Sequence, residues 1–171
     1  MSSPNPDLVA LLRRENPWLD APSTWQREVE ARMPTTYVPR LQPEVALLEA
    51  GELPHSKAML VIGPRQAGKS TWVWNLLSRE SGGVLFVDCE LHRFRQWCRD
   101  PSAFLEDLRQ LFPHPSAVFL EEAQHLEEAG LFIKGLIDRR IPCPLIVTGS
   151  SSYHLSARTR ERATRDSRRP S

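Results

Sequence analysis

The chain of 171 residues is poor in cysteine: it has only Cys89, Cys98 and Cys143, with no C-x-x-C pair among them. An odd, unclustered set can close neither a full disulfide framework nor a thiolate zinc site, so reduced thiols in a cytoplasmic protein are expected. His92, His114, His125 and His154 lack metal-ligand spacing, which argues against a histidine zinc site. Long apolar runs are missing too, none approaching the roughly 20 residues that cross a bilayer. The N-terminus carries Arg13 and Arg14 after a short apolar patch, the reverse of a secretory leader. A membrane is therefore not expected as a partner. Excess charge of one sign is also absent: a formal net charge of +1 excludes attraction of the whole protein to nucleic acid. The distribution is uneven, since Arg158, Arg160, Arg162, Arg165, Arg168 and Arg169 leave residues 156–171 at +4 and the preceding chain at −3. With little apolar surface to anchor it, this stretch is expected to be a disordered tail; it can touch phosphates, which leaves nucleic acid open as a partner.

What is present suffices for one compact core with appendages. Proline crowds the first third (Pro4, Pro6, Pro17, Pro22, Pro34, Pro39, Pro43, Pro54), so residues 1–52 are expected to form short helices and connectors. Candidates are Asp7–Arg14, Ser23–Arg32 opening on a Ser/Thr cap, and Glu44–Glu52. A core domain over 53–155 alternates apolar runs with helical spacing. The runs are Ala58–Ile62, Val84–Glu90, Ala117–Leu120 and Pro144–Thr148; the helical segments are Gly68–Arg79, Ser102–Phe112 with Ser102 as cap, and Leu126–Arg140. Strands alternating with helices predict an α/β sandwich with a parallel sheet, because a parallel neighbour needs a long return connection.

Between the first run and its helix lies Gly63-Pro64-Arg65-Gln66-Ala67-Gly68-Lys69-Ser70-Thr71, which fits the Walker A pattern G-x-x-x-x-G-K-[ST] at every specified position. Glycines at 63 and 68 let backbone N–H groups converge on phosphate oxygens. Lys69 brings a point charge to the β and γ phosphates, and Ser70 a hydroxyl for Mg²⁺. Thr71 is placed for the α-phosphate, and the helix start adds its positive dipole end. A glycine turn with an exposed lysine is the plainer alternative.

The third run ends in Glu121 and Glu122. Hydrolysis of a phosphoanhydride needs a carboxylate near Mg²⁺ and a second group that orients or deprotonates water. Glu121 is assigned to the metal and Glu122 to the water, against the plainer reading of two helix-start charges. Thr148 and Ser150 follow the fourth run, where ligands of parallel sheets gather, and are candidates for γ-phosphate contact. Asp88 and Glu90 end the second run and either face the same cleft or cap the surface. Trp72, Trp74, Trp97 and Phe119 are expected in the core rather than stacked on a base.

The segments GPRQAGKST, VFLEEAQ and LIVTGSSSYHL resemble those of AAA-type P-loop ATPases of the kind usually joined to a C-terminal domain. The resemblance spans about residues 36–155. It implies a P-loop three-layer sandwich of the additional-strand class, in which the acidic strand is not adjacent to the first strand. It also implies Mg-ATP binding and ATP hydrolysis, with a non-catalytic nucleotide-binding module or switch as the alternative. The family more often has Asp-Glu at Glu121-Glu122, and continues after Leu155 with further sheet, a lid and the second domain. The chain thus reads as a truncated member, incomplete at the C-terminus, whose partner is an unidentified protein or the missing domain. AMLVI is then expected to be an exposed apolar edge strand unless N-terminal residues or a partner cover it.

Overall fold

A computed structural model of the chain describes residues 4–38, 58–80 and 82–150. The helix candidate at Glu44–Glu52 and the arginine-rich stretch lie outside the described residues. Among the described residues α1 (Pro6–Glu15) and α2 (Trp25–Arg32) precede the sheet. Then follow β1 (Ala58–Gly63), α3 (Lys69–Leu77), β2 (Val84–Asp88), α4 (His92–Trp97), α5 (Pro101–Leu111), β3 (Ala117–Glu121), α6 (Ala129–Asp138) and β4 (Leu145–Ser150). The four strands pair in parallel in the order β1-β4-β3-β2. β4 therefore lies between the first strand and the acidic strand, as the resemblance implied.

Strand side chains alternate between two apolar layers, the consequence of a two-residue repeat. Leu85, Val87, Val118, Leu120, Leu145 and Val147 join residues of α1, α4, α5 and α6. Val84, Phe86, Ala117, Phe119 and Ile146 join α2, α3 and Trp18 on the other face. Helices covering both faces explain why these strands are apolar throughout instead of alternating with polar residues. The second layer is aromatic: Trp18, Trp25, Trp74, Phe86 and Phe119 meet edge-on or tilted at 5.1–6.4 Å between centroids. The Arg32 guanidinium lies over Trp18, Trp74 and Phe86 at 5.0, 5.1 and 5.8 Å.

The outer edge of β2 is closed by side chains from the N-terminal segment. Asn16 is fully buried. Its Nδ2 donates to Phe86 O at 3.0 Å and Leu12 O at 2.9 Å, and its Oδ1 accepts from Phe86 N at 2.6 Å. Trp18 Nε1 donates to Val84 O at 2.7 Å. A carboxamide thus takes the place of a neighbouring strand, which removes the hazard of unpaired edge groups.

Several boundaries differ from the sequence expectation for local reasons. α2 starts at Trp25 after a 3-10 turn over Pro22–Thr24, and Thr24 donates its hydroxyl to Ala21 O instead of capping. The cap of α5 is Asp100, which accepts from Ser102 N at 2.8 Å. α4 was not foreseen, since six residues are too few to display a helical repeat. A 3-10 turn, Ala123–His125, occupies the chain before α6, so that helix is shorter than Leu126–Arg140. β2 stops at Asp88, while β4 runs on through Ser150.

Candidate functional site

The carboxyl ends of the four strands bring the singled-out residues to one end of the sheet, in an unbroken series. Gly63 is in register with Ser150 on β4, and Asp88 with Glu121 across β2 and β3. The loop from Gly63 turns through two left-handed residues, Gln66 (φ 57°) and Gly68 (φ 74°), before α3 begins at Lys69. Left-handed residues alternating with others curl main-chain N–H groups into an anion-binding concavity. Gly68 needs its missing Cβ for this conformation, and Gln66 adopts it despite having one. Gly63 does not: a Cβ there would meet Lys69 Cδ at 3.7 Å, ordinary contact, so the conformational reason expected for this glycine is not seen.

Lys69 is only 8% exposed. Its ammonium donates to Pro64 O at 2.8 Å and Gly63 O at 3.3 Å, and it makes no ion pair among the described residues. The plainer alternative of an exposed lysine is therefore excluded. Two neutral carbonyls compensate a buried ammonium only partly, and the remaining demand is for negative charge.

Ser70, next in α3, hydrogen-bonds the Glu121 carboxylate at the end of β3. Burial raises the pKa of Glu121 above its ordinary value; the Ser70 hydroxyl opposes this, while Asp88, Glu122 and Glu90 add to it by like-charge repulsion. Asp88 is likewise raised, first by burial, against the hydrogen bond it accepts from Glu90 N at 2.8 Å. Asp88 thus belongs to the end of the sheet with Glu121. Glu90 lies on the exposed turn, where it meets His125 Nε2 at 3.3 Å. A hydroxyl bonded to a carboxylate presents two hard oxygens together, the donor type that Mg²⁺ prefers. Among the described residues no group of three or more His, Cys, Asp and Glu has metal-holding geometry.

Glu122 is the N-cap of the short 3-10 turn Ala123–His125, but its side chain makes no capping hydrogen bond there. It is left-handed at φ 53°, an unusual state for a side-chain-bearing residue. Its N–H donates to Thr148 Oγ1 at 3.1 Å, and its carboxylate accepts from Gln124 Nε2. The other end of that amide, Gln124 Oε1, accepts from Ser150 N at 3.0 Å. Thr148 and Ser150 are buried strand residues rather than members of a loop. Sequence reasoning placed Gln66 in the phosphate loop but missed Gln124. The signal for Gln124 was a neutral amide just after two acids, a side chain able to donate to a carboxylate and accept from an N–H at once.

Trp72, Trp74, Trp97 and Phe119 are buried; Trp74 packs on Phe119 and Trp97 on Phe104, as expected of core aromatics. All three cysteines are buried with thiol pKa values pushed up by desolvation, which leaves them unreactive. A surface cavity of about 570 Å³ between α1 and α4 is lined by Asp7, Leu11, Arg14, Leu91 and Arg93 and contains none of the strand-end residues. No described helix is long and apolar enough to cross a membrane.

A protein-family model described as AAA domain matches residues 55–169, beyond Leu155, where the motif resemblance ended. No curated protein and no solved structure matches the chain.

Proposed function

The chain belongs to the AAA domain family, a nucleotide-binding ATPase class, and from that membership we propose that it binds ATP with Mg²⁺ and hydrolyses it. The observation that carries the reading is the buried Lys69 ammonium, held by two loop carbonyls at the start of α3 with no ion pair among the described residues. A triphosphate meets that demand for negative charge. The N–H groups of Gly63, Arg65, Gln66, Ala67, Gly68, Lys69, Ser70 and Thr71 wrap the phosphates, while Pro64, which has no N–H, offers its carbonyl to Lys69 until Lys69 turns to the β and γ oxygens.

Ser70 and Glu121 would hold Mg²⁺, which would supply neutralisation of the phosphate charge when bound. Glu122 orients a water and takes its proton as the water oxygen attacks the γ-phosphorus. The bond from phosphorus to the β–γ bridging oxygen breaks, and the electron pair leaves with ADP. Thr148 fixes the Glu122 main chain, and Ser150, beside Gly63, stands where a γ-phosphate is sensed. The energy released acts on an unidentified protein partner or a further domain, in the cytoplasm that the reduced thiols suit.

A second reading is a nucleotide-binding module without turnover. What favours it is that the Glu122 carboxylate is already engaged by Gln124. One experiment separates the two: ATP titration by melting temperature together with phosphate release, on the wild type and Glu122→Gln. Hydrolysis predicts turnover in the wild type that falls at least 100-fold in Glu122→Gln with ATP affinity kept. Stabilisation by ATP with background phosphate release in both proteins establishes the binding module. No stabilisation by ATP overturns both.

A further inference from the structure

We propose that Gln124 is the positioning residue that fixes the Glu122 carboxylate to the end of β4, so that the water-activating group and the γ-phosphate side of the site move as one. This rests on the hydrolytic reading above.

The geometry assigns the amide without ambiguity. Ser150 N can only donate, so the atom 3.0 Å from it must be the carboxamide oxygen, and the nitrogen is then turned toward Glu122. An ionised carboxylate only accepts, and that nitrogen only donates. A neutral carboxamide offers a donor and an acceptor on one rigid plane, which lets it donate to a carboxylate and accept from an N–H at once. Gln124 opens the short 3-10 turn after β3 together with Ala123, whose side chain is anchored in the core. Its backbone is thus tied to the apolar layer while its side chain spans two strand ends.

The link matters because Glu122 has little else to hold its side chain. Its backbone is left-handed, donates to Thr148 Oγ1 at 3.1 Å and accepts from His125 N at 3.1 Å, and neither bond fixes the carboxylate. Ser150 is in register with Gly63, the first residue of the phosphate loop. Displacement at the loop therefore reaches β4 through backbone pairing, and reaches Glu122 through one carboxamide. The packing around Gly149 reinforces this: a Cβ there would lie 3.3 Å from Gln124 Oε1, so the amide sits hard against the β4 backbone.

The test uses the full chain and two substitutions. Gln124→Met keeps the length and apolar contact but removes both hydrogen bonds. It should lower kcat about 10- to 100-fold, the range for a misplaced catalytic group, with KM and the ATP-induced rise in Tm close to wild type. Gln124→Glu keeps the acceptor for Ser150 N–H but sets a carboxylate against Glu122. One proton shared by the pair restores the lost donor, so kcat relative to wild type should climb as pH falls from 8 to 6. A purely structural role predicts parallel loss of ATP binding and kcat, with no pH-dependent recovery, and overturns the proposal. So does Gln124→Met turning over within twofold of wild type. A wild type that binds ATP but releases no phosphate removes the hydrolytic reading, and the positioning role falls with it; active wild type with indifferent variants removes the positioning role alone.

Discussion

The two halves of the candidate site are held together in different ways. The phosphate loop is a local structure: Lys69 bonds carbonyls five and six residues back, and the left-handed turns at Gln66 and Gly68 lie within the same nine residues. The opposite half, at the ends of β3 and β4, is held by side chains that reach across 26 residues, from Thr148 to Glu122 and from Gln124 to Ser150. A local structure is specified by the residue types that occupy it. A long-range one is specified only once the sheet has placed the strands side by side. The two halves should therefore respond differently to substitution, the first through ligand binding and the second through turnover and folding stability.

The sharpest break in this comparison is Lys69→Ala. It removes the only buried cation from the loop without disturbing a long-range contact. ATP affinity measured by titration should fall at least about 100-fold, the loss expected when a charged hydrogen-bonding partner of a phosphate disappears from a desolvated site. The unliganded Tm should drop by little or even rise, because a partly compensated buried charge is gone. Unchanged affinity would remove the loop from the binding site.

Next in size is Asn16→Ala, at the greatest sequence separation of all. Three hydrogen bonds are lost, and Phe86 N–H and C=O on the edge strand are left unpaired. Chemical denaturation should show a loss of about 2–3 kcal/mol. A loss below about 0.5 kcal/mol would mean that water or a shifted chain replaces the carboxamide. ATP affinity of the folded fraction should stay close to wild type, since Asn16 meets β2 at Val84–Asp88 on its outer edge and not at the phosphate loop.

These two residues also mark what can be read from a sequence alone. Lys69 announces itself because the constraints on a phosphate loop are consecutive: two glycines, a lysine and a hydroxyl after an apolar run. The four parallel strands and most helices were legible for a related reason, since a buried strand must be apolar and its return helix must repeat at helical spacing. Asn16 is invisible by comparison. A lone asparagine between a helix and Pro17 looks like a turn residue, and nothing local states that Phe86 lies beside it, 70 residues on. Gln124 is an intermediate case: its chemistry is evident, but its second partner, Ser150, is known only from the β3–β4 pairing. Six-residue α4 failed for want of length. Glu122 keeps two readings in the sequence, because a strand end and a helix start place acids alike; its left-handed conformation appears only in the structure.

A smaller effect is expected from Thr148→Val, which keeps shape and removes the acceptor for Glu122 N–H. Stability should fall by about 1–2 kcal/mol, and turnover should fall with it by more than ATP affinity does, because the left-handed Glu122 loses its main-chain anchor. Equal changes in both would place Thr148 with the local half instead of the long-range half.

The smallest predicted change has the opposite sign. Glu121 and Asp88 both have pKa values raised by burial, so the folded protein holds their protons more tightly than the unfolded chain does. Between the unfolded and the raised folded values, the native state binds more protons, and stability therefore falls as pH rises through that window. Above it, at neutral pH, the penalty for the buried charges is fully present; it is relieved only as pH falls through the folded values. Glu121→Gln removes the charge while its carbonyl oxygen can still accept from Ser70. The Tm of the unliganded protein at pH 7 should rise by about 2–4 °C, and the dependence of Tm on pH in the acidic range should flatten relative to wild type. The same variant should lose the benefit of Mg²⁺ in ATP titrations, because the amide oxygen is a poorer ligand than a carboxylate. A residue that stabilises the fold when neutralised, yet weakens metal-dependent binding, is one kept charged for its ligand and not for packing. A Tm that falls instead would make the Ser70–Glu121 contact a structural tie between α3 and β3, and would move Glu121 into the long-range framework with Thr148.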